Sequence, residues 1–169
     1  RWAKCYTPEH RRIRVVIRKQ CWKRLETRVP WSPHILSKDQ LKELEILIKS
    51  RYGVIFFESQ DILRAEMLLK ILASKLSVPY FYWTRTKGLS RGDLETNNPV
   101  YKSIELSQAL GSIKAHTFKA LYHLIDLSDD INDKTNQSLI LDASDTLSKL
   151  SSSLIITGSN FQIPDNLKQ

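Results

Sequence analysis

From residue 37 onward, short apolar runs alternate with segments whose apolar residues recur at helical spacing. The continuous apolar runs are typical of strands that are buried on both faces of a sheet. They predict strands over residues 54–57, 79–84, 117–125 and 153–157. The intervening segments carry apolar residues three or four positions apart, which predicts amphipathic helices over residues 37–52, 62–72, 104–113 and 139–150.

The first of these predicted helices has a signal at each end. Ser37 is a predicted N-cap, and Gly53 stands where a C-cap glycine would end the helix. Polar loops are predicted from residue 85 to about 98 and over 128–137. Strand and helix thus alternate four times. This alternation predicts a three-layer α/β domain, with a mainly parallel sheet of four or more strands and helices on both faces.

The first 36 residues follow two competing patterns. Ile13, Val16, Ile17, Cys21 and Leu25 share one helical stripe. Read instead as a strand, apolar positions 13, 15 and 17 alternate with arginines. We prefer the helix because its stripe is longer. Prolines at positions 30 and 33 then break the chain, so the predicted division is a basic helical arm and linker over 1–36 and an α/β domain over 37–169.

Charge separates these two parts more sharply than hydrophobicity does. The first 28 residues hold ten cations and two anions, and the whole chain carries a net charge of +8, so the remainder is electroneutral. Aromatic residues lie among the cations, which suits phosphate contacts and base stacking. The candidate nucleic-acid contacts are Arg11, Arg12, Arg14, Arg18, Lys19, Lys23 and Arg24. Alternatively, the apolar stripe of the arm packs on the body and its basic face is solvated. A third alternative is that the arm binds an anionic membrane or an acidic protein.

Composition excludes several other classes of protein. A hydrophobic fraction of 41% and a charged fraction of 26% are ordinary for a folded domain, and no apolar run is long enough for a transmembrane segment. Cys5 and Cys21 do not make a disulfide framework, which indicates a reducing compartment. Because the chain begins at Arg1 rather than Met, we expect a fragment or a processed product, whose upstream targeting peptide would not be visible.

The turn after the first predicted strand of the body differs from that of a nucleotide-binding domain. Such domains have a glycine-rich loop there, whose amides, lysine and hydroxyl hold phosphates and magnesium. Here the strand leads into Glu58, Ser59, Gln60 and Asp61, without glycine or lysine, and the two carboxylates would repel a phosphate. We therefore expect no ordinary ATP binding at this turn, no cofactor and no metal. We expect Ser59 or Asp61 to cap the next helix.

Two further groups lie near predicted strand ends. Asp126 follows the third strand, at the position where an ATPase has a magnesium-binding carboxylate. Because this chain has no phosphate loop to bind the magnesium ion together with Asp126, we interpret Asp126 as part of a solvated acidic loop. Arg85, Lys87 and Arg91 lie in the loop after the second strand and form a candidate anion pocket. If these cations converge, the domain could be an enzyme with an unrecognised site.

The order of several short segments resembles a known family. They are Ser50-Arg51-Tyr52-Gly53, Val54-Ile55-Phe56-Phe57-Glu58-Ser59, Trp83-Thr84, Gly88-Leu89, Tyr122-His123-Leu124-Ile125-Asp126, Leu154-Ile155-Ile156-Thr157-Gly158 and Ile163-Pro164. Over about residues 39 to 168 the chain resembles the N-terminal domain, lacking the phosphate loop, of an AAA+ ATPase family found in cyanobacteria, plastids and other bacteria. The resemblance implies a RecA- or AAA-like core followed by a catalytic AAA+ module, and it assigns no catalytic residue.

The resemblance implies a non-catalytic domain that mediates assembly, regulation or client recruitment. Its expected partners are the catalytic AAA+ module or sister subunits, with which it would form an oligomer. Its expected location is the cytoplasm or the plastid stroma. The alternative function is nucleic-acid binding through the basic arm.

Overall fold

The computed structural model describes residues 16–17, 35–94, 99–100, 102–127, 130–159 and 163–167, with only the backbone described for 16–17, 35–39 and 166. The elements are β1 (Val16–Ile17), α1 (Ile35–Lys49), β2 (Val54–Glu58), α2 (Ile62–Lys75), β3 (Tyr80–Thr84), β4 (Gly88–Arg91), α3 (Leu106–Ala115), β5 (Leu121–Ile125), α4 (Lys134–Lys149) and β6 (Ser153–Gly158). Short 3-10 helices lie at Asp130–Asn132 and Asp165–Leu167.

The described strands form one sheet in the order β1-β2-β6-β5-β3-β4. Every neighbouring pair is parallel except β3 and β4, which form an antiparallel hairpin. The residues of β2 and β6 are buried almost throughout, as their continuous apolar character predicts. The carboxyl ends of β2, β6, β5 and β3 therefore meet at one edge of the sheet, which we call the carboxyl edge.

A helix layer covers each face of the sheet. On one face, α1 and α2 pack over a core that includes Leu69, Ile55 and Tyr80. On the other face, α3 and α4 pack over a larger core that includes Leu110, Trp83 and other buried aromatic and aliphatic residues. The predicted fold class, a three-layer α/β domain of AAA-like architecture, is confirmed. The division at residue 36 stays a prediction.

The ends of α1 differ from the sequence-based prediction. The helix begins at Ile35, so Ser37 lies inside its first turn and is not the N-cap. At the other end, Arg51 has the left-handed conformation (φ 62°), and Tyr52 N donates to Leu47 O over 3.3 Å. These are the features of a Schellman motif, which ends the helix without a glycine.

Gly53 therefore has another role. A Cβ atom at this position would lie 2.3 Å from the backbone oxygen of Ser144 in α4. The chain needs a glycine here because β2 enters the sheet against the backbone of α4. The C-cap prediction for Gly53 is wrong, and the physical reason is close packing between two elements that are distant in sequence.

Two strands differ from the predicted elements. The predicted polar loop after β3 contains β4, and its Gly88 has φ +71° directly after a three-residue hairpin loop.

Val16 and Ile17 are extended and pair in parallel with Phe56 and Phe57 of β2. The helical prediction is thus wrong for these two residues, whose β-branched side chains suit a strand and which lie along β2. The rest of the arm lies outside the described residues.

None of the described helices combines the length and the apolar character that crossing a bilayer requires.

Candidate functional site

The turn between β2 and α2 is closed by its own polar groups. Asp61 is the N-cap of α2, and its Oδ1 atom accepts a hydrogen bond from Arg64 N over 2.9 Å. Ser59 N donates to Gly158 O over 3.1 Å, and Ser59 Oγ accepts from Asp61 N over 3.2 Å. The prediction that Asp61 caps this helix is confirmed. A phosphate approaching the N-terminus of α2 would meet the carboxylate of Asp61, which already accepts from one of the free backbone N–H groups of the first turn.

Asp126 lies at the carboxyl edge, directly after β5. Its φ is 57°, and its backbone N donates to Thr157 O over 2.9 Å. Strand β6 lies between β5 and β2, so Asp126 is two strands away from the turn that Asp61 closes. Among the described residues, no group of three His, Cys, Asp or Glu side chains is arranged to hold a metal ion.

The candidate anion pocket is divided by ion pairs. Arg85 Nη2 lies 2.8 Å from Asp130 Oδ2. Arg91 donates to both carboxylate oxygens of Asp93, over 2.8 and 2.9 Å, and these hydrogen bonds lower the pKa of Asp93. Lys87 is exposed and has no ion pair within the described residues. Two of the three predicted cations are therefore already neutralised by carboxylates of the chain.

Two neighbouring clefts lie between α2 and the β3–β4 hairpin. The smaller one, of about 320 Å³, is lined by Glu66, Lys70, Tyr82, Thr84, Lys87, Gly92, Leu94 and Ile125. The larger one, of about 540 Å³, is lined by Lys70, Ala73, Ser74, Ser77, Val78, Pro79, Tyr80, Arg91, Gly92 and Asp93. Lys87 lines the first cleft, Arg91 lines the second, and Arg85 lines neither. Anion binding by these three residues together stays a prediction, and neither cleft brings them together.

Lys70 is the cation that sequence reasoning missed. It lines both clefts, and its amine lies 2.7 Å from Glu66 Oε1, four residues earlier on α2. In the sequence, this pair is typical of a solvated helix face. Only the passage of α2 beside β3 brings Lys70 near the hairpin, and that packing could not be deduced from spacing along the helix.

A buried polar network crosses three strands beneath α1 and α2. His123 is fully buried, and its Nδ1 and Nε2 atoms lie 2.7 Å from Tyr80 Oη and 2.8 Å from Thr157 Oγ1. Burial lowers the pKa of His123 to about 3 and raises the pKa of Tyr80 well above its usual range. The imidazole is therefore neutral, with both nitrogens hydrogen-bonded and no access to solvent. This arrangement links three strands through a buried histidine whose two ring nitrogens both have partners.

The outer face of α2 carries an apolar stripe. Leu63, Met67 and Ile71 are spaced four residues apart and are 75%, 64% and 53% exposed. We call these three residues the α2 stripe. They extend over about 12 Å of helix surface. Their spacing is visible in the sequence, but the prediction of a helix over residues 62–72 included all three without separating the outer face from the inner one.

The candidate nucleic-acid contacts Arg11, Arg12, Arg14, Arg18, Lys19, Lys23 and Arg24 lie outside the described residues. Their role stays a prediction. The adjacent Val16–Ile17 strand is described and lies beside β2.

Comparison with known proteins identifies the family. A comparison with curated proteins and one with solved structures found no significant match. The family model for the SpoVK-like AAA ATPase, N-terminal domain, matches residues 40–169. This match confirms the prediction of an AAA+ ATPase N-terminal domain. Because it covers most of the chain, the protein belongs to the family of SpoVK-like AAA ATPase N-terminal domains.

Proposed function

We propose that this domain is a non-catalytic assembly module of an AAA ATPase and that it packs against a second copy of itself through the α2 stripe. The observation that carries the proposal is the exposure of Leu63, Met67 and Ile71 on one helix face. Contiguous apolar side chains on a protein surface are costly in water and are typical of contact sites. The closed turn at Asp61 supports the non-catalytic part of the proposal.

The charge distribution favours a second copy as the occupant. The chain after residue 28 has no net charge, so two bodies approach each other without overall repulsion. Beside the stripe, Glu66 and Lys70 form an ion pair of 2.7 Å, so these two charges balance each other. A client with a strongly charged surface would gain little attraction from this face.

The test measures the mass of the full chain in solution. Light scattering coupled to size exclusion, at concentrations from about 10 to 200 μM, compares the native chain with a Leu63→Ser, Met67→Ser, Ile71→Ser variant. These concentrations bracket the micromolar affinities of modest interfaces. We expect the native chain to exceed the monomer mass of 19.6 kDa as concentration rises, and the variant to stay at that mass.

Ile104→Ser is the matched control, because Ile104 is 58% exposed but lies before α3, in the opposite layer. The control variant should associate like the native chain. A native chain that is monomeric throughout the range would overturn the assembly role of the stripe. Equal loss of association in the control variant would assign the effect to general surface hydrophobicity.

A second candidate function is nucleic-acid binding through the basic arm, favoured by ten cations and two anions in 28 residues. Because Val16 and Ile17 pair with β2, deletion of the arm would also remove a strand from the sheet. The better variant replaces the seven candidate contacts with Gln in the full chain. Anisotropy of a labelled single-stranded oligonucleotide at two salt concentrations should show salt-sensitive binding that this variant loses. Unchanged binding in the variant would exclude the arm as the contact.

Two finer features of the resemblance are also proposals. They are the cyanobacterial or plastid type of the family and a location in the cytoplasm or the plastid stroma. Both rest on the family resemblance of the sequence segments alone.

A further inference from the structure

We propose that the smaller cleft between α2 and the β3–β4 hairpin binds a small molecule with a phosphate or carboxylate group, which Lys70 and Lys87 hold. We call it the Lys70–Lys87 cleft; it is the one lined by Glu66, Lys70, Tyr82, Thr84, Lys87, Gly92, Leu94 and Ile125. The inference goes beyond self-assembly and does not depend on it.

The position of the cleft in the fold is the first argument. Thr84 and Ile125 are the last residues of the parallel neighbours β3 and β5, so the cleft opens at the carboxyl edge. Open α/β sheets bind their ligands outside the carboxyl ends of the strands. The usual phosphate position in such a sheet, the turn after β2, is closed by Asp61. The Lys70–Lys87 cleft lies at the same edge but beside other strands.

The charges around the cleft are the second argument. Its lining holds two cations, Lys70 and Lys87, and one carboxylate, Glu66. Glu66 is paired with Lys70 at 2.7 Å, which leaves the Lys87 amine available for an anion among the described residues. Arg85 and Arg91 do not contribute, because neither of them lines this cleft. Among the described residues, the lining therefore has a net positive charge that an anionic group balances.

The hairpin holds Lys87 in a defined place. Lys87 N donates to both the carbonyl oxygen and the Oγ1 atom of Thr84, over 3.3 and 3.2 Å. Gly88 follows with φ +71°, and Leu89 N donates to Ser103 Oγ over 2.8 Å. A lysine on such a short, hydrogen-bonded loop loses less backbone freedom on binding than one on a long loop.

The size of the cleft selects the class of ligand. A volume of about 320 Å³ lies at the lower end of the range for small-molecule sites. Leu94 and Ile125 add an apolar part to the lining, which suits a ligand with a small apolar group attached to its anion. A polymer would need a longer cationic track than two lysines provide.

The test is a titration of the full isotope-labelled chain, followed by backbone amide shifts in two-dimensional NMR. Phenyl phosphate and benzoate are the probes, because they place a phosphate and a carboxylate on the same ring, and benzyl alcohol is the neutral control. We expect saturable shifts at residues 82–94 and 66–70 with at least one anionic probe. Tighter binding of one probe identifies the preferred anion.

Three variants separate the cleft from general attraction to cations. Lys87→Ala should weaken the preferred probe about five-fold, and Glu66→Gln should tighten it about two-fold by removing the opposing charge. Lys119→Ala is the matched control, because Lys119 is exposed and lies before β5, at the opposite edge of the sheet, and it should leave binding unchanged.

Shifts confined to the basic arm, or equal binding by the native chain and Lys87→Ala, would overturn the proposal. So would equal shifts with benzyl alcohol, because they would show that the ring and not the anion is recognised. The NMR spectra of the variants also report folding, so a loss of binding with a preserved spectrum is assigned to the cleft. The stripe variant repeats the titration as a monomer, which keeps this result independent of self-association.

Discussion

The two helix layers differ in what they show to solvent. On α1 and α2, four large aliphatic side chains are more than half exposed, at positions 46, 63, 67 and 71. On α3 and α4, no large apolar side chain of the described residues is exposed to that extent. Both layers bury their inner faces against the same sheet, so the difference does not come from the needs of the core. This difference is the basis of the proposal that the α1–α2 layer packs against a second copy of the chain.

The same layers also differ beneath their helices. The core under α3 and α4 is the larger one and is formed by apolar residues such as Leu110, Leu124 and Ile156. The surface under α1 and α2 includes the hydrogen-bonded chain of Tyr80, His123 and Thr157. Buried hydrogen bonds also occur under α3 and α4, where Trp83 Nε1 donates to Ser103 O over 2.8 Å, but the chain under α1 and α2 links side chains of three strands.

The largest expected effect tests whether the burial of a side chain, and not the helix that carries it, decides how much it contributes to the free energy of unfolding. Leu110→Ala in α3 and Leu69→Ala in α2 each remove a fully buried side chain. Each should lower the free energy of unfolding by about 2–5 kcal/mol. Met67→Ala, two residues away on the outer face of α2, should change it by less than about 0.5 kcal/mol. Urea unfolding followed by circular dichroism gives all three values, and a large loss for Met67→Ala would mean that the outer face is part of the core.

The next prediction tests the polar network. His123→Leu leaves the buried hydroxyls of Tyr80 and Thr157 without a partner, and we expect a loss of about 2–4 kcal/mol in the free energy of unfolding. Adding Tyr80→Phe and Thr157→Val replaces the whole network with apolar groups of similar shape and should recover most of that loss. If the triple variant is less stable than His123→Leu, the hydroxyls have other buried roles.

Helix capping provides a matched pair, with one residue in each layer. Asp61 accepts from Arg64 N over 2.9 Å at the start of α2, and Asp133 accepts from Asn136 N over 3.0 Å at the start of α4. Asp61→Ala and Asp133→Ala should each lower the free energy of unfolding by about 1 kcal/mol. Replacement of either aspartate by Asn should keep most of the native stability. Chemical unfolding measures both. A much larger cost at Asp61 would mean that the turn after β2 also depends on this carboxylate for its shape.

The sequence was sufficient for the elements whose residues are buried on both sides. Residues 54–57 and 153–157 are continuous apolar runs, and nearly every side chain in them is buried, so pattern and environment agree. The strand β4 was missed because Gly88, Ser90 and Arg91 read as a turn. It forms because β3 offers an antiparallel partner, and a partner is not a property of the segment itself.

The helix ends and the ion pairs of the predicted anion pocket could not be predicted from local sequence alone. The chain leaves α1, α2 and α4 through left-handed Arg51, Ser77 and Ser151. None of these is a glycine, so a prediction of helix ends from C-cap glycines misses them. Of the predicted anion-binding cations, Arg91 has a carboxylate two residues away that was visible in the sequence. Arg85 is neutralised by Asp130, 45 residues along the chain, and only the fold brings these two together.

The smallest expected effect concerns the ion pairs that join the helices within each layer. Glu45 on α1 accepts hydrogen bonds from Lys49 and from Lys75 of α2, and these contacts lower its pKa from 4.5 to about 2. Because the pKa of Glu45 is lower in the folded state than in the unfolded state, its ion pairs stabilise the fold above pH 4.5. This stabilisation is lost as the pH falls toward 2. Glu45→Gln should therefore be slightly less stable than the native chain at pH 7, and the difference should shrink between these two pH values.

Asp142→Asn is the control from the other layer, where Lys114 Nζ and Asp142 Oδ2 are 3.5 Å apart. This substitution should lower the free energy of unfolding at pH 7 by less than Glu45→Gln does. Paired urea titrations at pH 7, 4 and 2.5 measure both differences. A difference for Glu45→Gln that does not depend on pH would mean that Glu45 stabilises the α1–α2 layer by packing and not by charge.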